Sequence, residues 1–296
     1  MTTSIVTNFI MNRVFFTILA GVLVLFIVIF VLKFQSSDVK NEQGDNEKKM
    51  VEKERIQRFW DLYRQATEHR IAGRLQRAAE DYRSALTIND HHEDALYYLG
   101  NVYLELGDFR GAEHAWRRLV QVNSNSARAH FQLGNLHLNF EHKEFFDLNK
   151  AEAEFERALE INKEETGPLL SLGQVALIRG NLAEARRYFN AVTGSNYKSV
   201  EAHFLNGYIA WKTGNSQKAL TLLSKAVKYS QPEKPVQGVL GEGDTKIGPP
   251  IGMSNRWKVD LLDLSGLNES SLLQQMESKY QILDAYLDQI RSEVQS

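Results

Sequence analysis

The chain has 296 residues, 43% of them hydrophobic and 24% charged, so it carries enough apolar side chains to build a folded core. Its 35 Lys and Arg residues nearly balance its 37 Asp and Glu residues, which argues against a protein that neutralises nucleic-acid phosphates. The absence of cysteine excludes disulfides, thiolate metal sites and cysteine nucleophiles.

The first element in chain order is an apolar run from Val14 to Leu32 that contains no charged residue. At a rise of about 1.5 Å per residue, a helix of this length spans roughly 28 Å, close to the hydrocarbon thickness of a bilayer. Bulky Phe30 and Leu32 stand where a signal peptide would carry its small-residue cleavage site. The sequence therefore predicts an N-terminal tail at 1–13 and an uncleaved transmembrane anchor at 14–32.

The charges around this run favour two opposite orientations. Before it stand Arg13 and the terminal amine with no acid, a pattern typical of an anchor whose C-terminal side is exported. Four lysines follow the run: Lys33, Lys40, Lys48 and Lys49. Their number favours the opposite orientation, in which the C-terminal side stays in the cytoplasm. We expect export. Residues 33–50 are polar with few large apolar groups, which predicts a flexible linker.

The middle of the chain repeats with a period near 34 residues. Three series of similar residues, here called ladders, keep this period. In all three, one spacing is longer by five residues, which places the extra residues between Gly134 and Ala151, in the stretch EHKEFFDLNK. Agreement of this kind indicates a true internal repeat with one insertion. The ladders are Gly100, Gly134, Gly173 and Gly207; Ala78, Ala112, Ala151, Ala185 and Ala219; and Tyr82, Trp116, Phe155, Phe189 and Leu223.

The second repeat shows the full pattern, with Leu96, Leu99, Gly100, Tyr103, Gly107, Ala112, Trp116 and Leu119. This pattern resembles the tetratricopeptide repeat family over about residues 59–232, with a departure at Ala66, which stands where the glycine belongs. The resemblance implies an all-α fold, a right-handed α-solenoid of about five antiparallel helix pairs at 51–231. The repeats begin near Phe59, Glu93, Ala127, Thr166 and Val200.

In proteins of this family the first helix of each repeat lines a concave groove that binds peptides. One row of groove positions is aromatic or apolar throughout, and a neighbouring row is mostly amide. Aromatic side chains supply apolar area, and amides can pair with the backbone of a bound segment. The alternative is that these residues only pack between helices. The groove carried over from the family comprises Tyr63, Thr67, Arg70, Tyr97, Asn101, Glu105, Phe131, Asn135, Asn139, Leu170, Gln174, Ile178, Phe204, Tyr208 and Trp211.

Other residues of the repeats invite narrower functional hypotheses. The insertion carries Phe145 and Phe146, which either pack back onto the repeat or form a loop that contacts a partner. His130 and His203 fall at positions that face the interior of a helix pair. Because no histidine pair has the HExxH spacing, we predict no metal and no cofactor. Members of the family that bind chaperone tails use groove lysines and arginines, and this sequence lacks that set.

After the repeats the composition changes twice. Residues 232–267 are rich in Gly and Pro, which predicts a loop that either lies along the groove or forms an arm for a partner. Within residues 268–296, an apolar seam at three- and four-residue spacing predicts a helix from about 271 to 291. It is either a cap on the last repeat or a dimerising coiled coil. The seam comprises Leu273, Met276, Tyr280, Leu283, Leu287 and Ile290.

These features predict a membrane-anchored scaffold, not an enzyme, that binds a protein or peptide partner through its groove. It resembles the anchored repeat proteins that bacteria use in envelope assembly, secretion and cytochrome maturation. We expect it in the bacterial inner membrane with the solenoid exported, and without a nucleic-acid partner. One alternative is a homo-oligomer formed through the C-terminal helix. A less favoured alternative is an enzyme whose acids are Glu242 and Asp244 of the Gly/Pro-rich loop.

Overall fold

The computed structural model describes residues 48–230, 264, 267 and 271–294, together with residues 21, 25, 29, 30 and 33. The chain divides into two compact units, Met1–Asp61 and Leu62–Ser296. All regular structure in the described ranges is α-helical, which confirms the all-α part of the predicted fold class.

The predicted anchor at 14–32 lies largely outside the described residues. Its four described positions are helical, and Leu25, Ile29 and Phe30 have exposed side chains. Residues 48–50, at the end of the predicted linker, are helical as well. In the part of the chain that the structure describes, no helix combines the length and the apolar character needed to cross a bilayer.

The repeats are built from antiparallel helix pairs, as predicted. Residues 48–71 form α1. The helices that follow are α2 (Leu75–Ile88), α3 (Glu93–Glu105), α4 (Phe109–Val122), α5 (Ala127–His137), α6 (Leu148–Ile161), α7 (Thr166–Ile178), α8 (Leu182–Ser195), α9 (Val200–Lys212) and α10 (Ser216–Ser230). The last described helix is α11 (Leu272–Val294).

Short turns join the two helices of most repeats. Each of four turns contains a glycine with positive φ, a conformation that side-chain-bearing residues rarely adopt. The glycines are Gly73, Gly107, Gly180 and Gly214, with φ between 69° and 79°. After three of these turns a side chain caps the next helix, as where the Asp108 carboxylate accepts a hydrogen bond from the backbone N–H of Gly111. The helix after Gly73 has no such side-chain bond.

The third repeat replaces this glycine turn with the predicted insertion. α5 ends at His137 and α6 begins at Leu148. The backbone N–H of Asp147 donates to the His137 carbonyl oxygen at 2.9 Å, which closes the loop at its base. The Asp147 carboxylate caps α6 by accepting from the N–H groups of Asn149 and Lys150.

In the second to fourth repeats, the ladder glycine receives an aromatic ring from the second helix of its own repeat. A Cβ built on Gly100 would lie 2.3 Å from Nε1 of Trp116. The corresponding distances are 2.6 Å from Gly134 to Phe155 and 2.4 Å from Gly173 to Phe189. The two helices of a repeat therefore pack closely only because these positions carry no side chain.

Alanine at Gly173 is expected to lower the free energy of unfolding by about 1–3 kcal/mol, because its methyl group would overlap the buried Phe189 ring. Gly194 of α8 is the matched control, since a Cβ there meets nothing within 4 Å. Gly194→Ala is expected to raise the free energy of unfolding by about 0.5–1 kcal/mol through helix propensity. Urea unfolding followed by circular dichroism measures both, and two changes of equal sign would contradict this explanation.

The C-terminal helix buries its apolar seam within the chain itself. All six residues of the observed seam are buried: Leu272, Met276, Tyr280, Leu283, Leu287 and Ile290. The prediction that Leu273 belongs to the seam was wrong, since this side chain is 60% exposed. At 100° per residue, Leu272 lies nearer the centre of the stripe than Leu273 does. The seam that a coiled-coil dimer would need is therefore occupied by contacts within one chain.

Candidate functional site

The first helices of the repeats carry the predicted row of apolar side chains, here called the ring row: Tyr63, Tyr97, Phe131, Leu170 and Phe204. Its first four members are half-buried and Phe204 is buried. Tyr63 lies against the His92 ring, with 5.2 Å between centroids, and the Arg128 guanidinium sits 4.6 Å over the Tyr97 ring. Tyr63 and Tyr97 therefore pack against the start of the next repeat while part of each ring remains accessible.

Beside the ring row runs the predicted amide row of Asn101, Asn135 and Gln174, and all three side chains are buried. Gln174 Nε2 donates to the Glu201 carboxylate of the following repeat. Within the described residues, Asn101 Oδ1 and Gln174 Oε1 are buried and accept no hydrogen bond. Both oxygens lie inside the repeats, where a buried acceptor without a donor costs about 1–3 kcal/mol, and a segment in the groove does not reach them in this conformation.

Thr67 occupies the equivalent position in the first repeat and is internally paired. Its hydroxyl donates to the Tyr63 carbonyl oxygen at 2.9 Å and lies 3.1 Å from the Tyr82 hydroxyl. Burial raises the pKa of Tyr63 to about 12, and the nearby Tyr82 adds to the shift. Both tyrosines are therefore neutral hydrogen-bonding groups at physiological pH.

An arginine completes the N-terminal end of this surface. The Arg70 guanidinium carbon lies 4.6 Å over the Tyr98 ring, and no described residue accepts a hydrogen bond from its buried Nε. Tyr98, Asn101 and Glu105 follow each other at three- and four-residue spacing on one face of α3. Partial burial raises the pKa of Glu105, and the Arg70 guanidinium opposes that shift. Arg70 of α1 thus packs over Tyr98 of α3.

The fifth repeat differs, because α11 covers its groove residues. Tyr280 of α11 stacks near three of them, with ring centroids 5.3 Å from Phe204, 6.1 Å from Tyr208 and 6.0 Å from Trp211. The Tyr280 hydroxyl donates to the Phe204 carbonyl oxygen at 3.3 Å. Burial raises the pKa of Tyr280. The predicted groove residues of this repeat are therefore already in contact with another helix of the same chain.

Polar contacts surround this ring contact. The Tyr208 hydroxyl donates to Asp284 Oδ1 at 2.6 Å, and Lys212 Nζ lies 2.6 Å from both oxygens of the same carboxylate. Trp211 Nε1 donates to the Glu277 carboxylate at 2.8 Å. These bonds involve charged groups, which makes them stronger than neutral hydrogen bonds.

Towards its end, α11 continues over the fourth and third repeats. Arg291 donates to the carbonyl oxygens of Leu177 and Ile178, at 2.8 and 2.9 Å, at the C-terminal end of α7. Glu293 pairs with Lys143 of the insertion. The groove therefore has two parts. We call the surface of Tyr63, Tyr97, Asn101, Phe131 and Asn135 the N-terminal half and the surface under α11 the covered half.

Docking of α11 is expected to weaken in acid. Burial raises the pKa of Asp284, but the hydrogen bonds from Lys212 and Tyr208, with Arg291 nearby, outweigh it and hold the pKa below its ordinary value. A lowered carboxyl pKa contributes stability above the unfolded value near 4 and loses it as the pH falls through the folded value. Protection of α11 amides in hydrogen exchange should therefore drop below about pH 4. An Asp284→Asn variant should lack this step.

The insertion packs back onto the repeats. The Phe145 ring lies 6.2 Å from Phe109, and Phe146 lies 5.5 Å from Phe140, centroid to centroid. Both phenylalanines are half-buried. The hypothesis that they form a partner loop gains no support from these contacts, which fit the packing alternative.

The interior histidines are hydrogen-bonded as predicted. His130 pairs with the Glu154 carboxylate at 2.6 Å and with the Ser124 carbonyl oxygen at 3.2 Å. His203 Nε2 donates to the Tyr197 carbonyl oxygen at 2.8 Å. Across the described ranges, no three His, Asp or Glu side chains form a cluster that could hold a metal ion. Glu242 and Asp244 lie outside the described residues.

Four residues of the covered half were not predicted as site residues: Lys212, Tyr280, Asp284 and Arg291. Tyr280 was predicted only as a member of the apolar seam, and one further signal in the sequence indicated its contact. The second to fourth repeats carry Trp116, Phe155 and Phe189 over their glycines, whereas the fifth carries Leu223. A missing ring above Gly207 indicates that a ring from elsewhere fills the space, and a Cβ at Gly207 would lie 2.1 Å from the Tyr280 hydroxyl.

Comparisons with known proteins agree with this architecture. Tetratricopeptide repeat models match residues 69–136 and 170–235. None of the curated proteins matches the sequence. The pilF structure from Pseudomonas aeruginosa is similar with a TM-score of 0.52 and 18% identity, over 60% of this chain and 79% of that one.

Two MamA structures are similar to a comparable extent. One MamA crystal structure gives a TM-score of 0.51 at 19% identity, over 58% of this chain and 91% of its own. MamA from Desulfovibrio magneticus RS-1 gives 0.52 at 13% identity, over 58% and 94%. At these identities the likeness shows the fold of the solenoid.

Proposed function

Because this chain belongs to the tetratricopeptide repeat family, we propose that it is a non-catalytic scaffold that binds a segment of a partner protein in the N-terminal half of its groove. The observation that carries the proposal is the row of half-buried rings on the first helices of the repeats. Tyr97 and Phe131 offer apolar area that is partly accessible.

The accessible parts of the Tyr97 and Phe131 rings match apolar side chains of a bound segment. The amides Asn101 and Asn135 lie buried beside these rings. We therefore expect a ligand that is recognised mainly through its apolar residues.

The finer parts of the proposal concern location and process. We propose that residues 14–32 anchor the chain in a bacterial inner membrane with the solenoid exported. The support is the length and purity of the apolar run and the acid-free tail before it. In that location the groove would serve envelope assembly, secretion or cytochrome maturation.

The proposal is tested by comparing the proteins captured by wild type and by a Tyr97→Ala/Phe131→Ala variant. The measurement is chemical crosslinking in cells followed by mass spectrometry. Truncating two contact rings should cost about 2 kcal/mol or more, which reduces capture of the partner about 30-fold. The control is Ile71→Ala, because this side chain is 75% exposed and outside the groove rows. An unchanged partner profile in the double variant, with unchanged melting, would rule out the N-terminal half as the binding surface.

A further inference from the structure

We propose that α11 is an internal ligand of the covered half, and that this half binds a partner's amphipathic acidic helix with a central tyrosine, which displaces α11. The inference rests on the proposed function of the groove, because it concerns the other half of the same surface. The expected partner is a helix that carries apolar residues at the positions of the buried seam of α11 and acidic residues at the acidic positions of α11.

The space above Gly207, here called the notch, belongs to the fifth repeat. The Tyr280 ring that fills it belongs to α11. Repeats two to four close the equivalent notch with a ring from their own second helix. In the fifth repeat the equivalent residue is Leu223, and the ring arrives from 73 residues beyond Gly207 in the chain. The ring above Gly207 is therefore supplied by α11 and not by the fifth repeat itself.

The covered half recognises acidic side chains as well as the stripe. α11 contains four acidic and two basic residues. Three of the acids meet donors on the repeats: Glu277 meets Trp211, Asp284 meets Lys212 and Tyr208, and Glu293 meets Lys143. The fourth, Asp288, pairs with Arg291 of α11 itself. This complementarity selects an acidic helix over a basic one.

Two features allow α11 to leave without unfolding the repeats. The outer face of α11 stays in solvent, where Leu273 is 60% and Ile282 is 53% exposed. Leu264 and Leu267 are buried in the same core as the seam and would leave with α11. The 33 residues between Ser230 and Leu264 can span up to roughly 110 Å when extended, so α11 can move away while attached. The same connection keeps its effective concentration high, which makes α11 a competitor of any other helix.

The test measures how tightly a fluorescent synthetic peptide of residues 271–294 binds to the full-length chain. Wild type is expected to bind weakly, because its own α11 occupies the groove. Asp284→Lys places a cation beside Lys212 and weakens only the internal ligand, so this variant is expected to bind the wild-type peptide at least tenfold more tightly. Ile282→Ala changes the outer face of α11 and serves as the matched control, with wild-type affinity.

Adding Gly207→Ala to the Asp284→Lys chain places a methyl group in the notch, and the gain in affinity is expected to disappear. Equal peptide affinity for wild type and Asp284→Lys would overturn the proposal, as would an absence of peptide binding or binding that survives Gly207→Ala. Far-UV circular dichroism checks that each variant is folded. The Asp284 side chain is 21% exposed and accepts from the Tyr208 hydroxyl, so this check covers the fifth repeat as well as α11.

A carbodiimide crosslink separates an internal ligand from an exchanged one. The 2.6 Å distance from Lys212 Nζ to the Asp284 carboxylate allows these groups to be joined as an amide. A crosslinked monomer is expected, and a crosslinked dimer would show that α11 belongs to a second copy, which overturns the proposal. The peptide-binding and carbodiimide experiments do not measure partner capture through the N-terminal half. A failure of the proposal for α11 can therefore be distinguished from a failure of the proposed groove function.

Discussion

Replacing Trp116 with alanine is expected to lower the free energy of unfolding by about 3–5 kcal/mol. The indole is fully buried and fills the notch above Gly100. Its Nε1 also donates to the Tyr97 carbonyl oxygen at 3.3 Å, which ties α4 to α3. Truncation removes the packing of both helices and leaves a cavity inside the second repeat. Since each repeat is stabilised mainly by its neighbours, the loss should spread to the first and third repeats.

Urea unfolding followed by far-UV circular dichroism measures this effect. Ile71→Ala is the control, because a side chain that is 75% exposed should change stability by less than about 0.5 kcal/mol. A loss below about 1 kcal/mol for Trp116→Ala would mean that the Gly100 notch does not hold the second repeat together.

The second large effect is expected at Tyr280, where alanine should cost about 3–5 kcal/mol. The ring is buried among Phe204, Tyr208 and Trp211, and its hydroxyl bonds to the Phe204 carbonyl oxygen. Gly207→Ala should release the same contact from the opposite side, because its methyl group would stand 2.1 Å from the Tyr280 hydroxyl. The two substitutions together should cost little more than Tyr280→Ala alone.

A double-mutant cycle tests this coupling, with hydrogen exchange of residues 272–294 as the local readout. We expect a coupling energy near the upper end of the usual range, about 2–3 kcal/mol. Gly194→Ala paired with Tyr280→Ala is the control cycle and should be additive, since a Cβ at Gly194 contacts nothing within 4 Å. Additive costs for Gly207→Ala and Tyr280→Ala would show that Tyr280 does not occupy the notch.

The repeats could be predicted from the sequence because their packing is local and periodic. The Gly100, Ala112 and Trp116 ladders marked the closest contacts within each helix pair, and the structure brings these residues together. The shared five-residue slip located the insertion between α5 and α6. In each case the interacting residues lie within about one repeat of each other, so spacing alone determined the contact.

The position of α11 could not be predicted in this way. Its three- and four-residue spacing identified a buried face but carried no information about the surface that buries it, and it misplaced one member of the seam at Leu273. The decisive contacts join residues 76 positions apart, such as Tyr208 and Asp284. For the same reason the ring row and amide row were predicted as one groove, although α11 covers its fifth-repeat end.

The most direct measurement of partner binding places a photo-crosslinking amino acid at Phe131 in one chain and at Arg83, an exposed residue of α2, in another. If the N-terminal half of the groove binds the partner, irradiation in cells gives a defined adduct from position 131 and none from position 83. No adduct from position 131, or the same adduct from both positions, would contradict the proposed groove function.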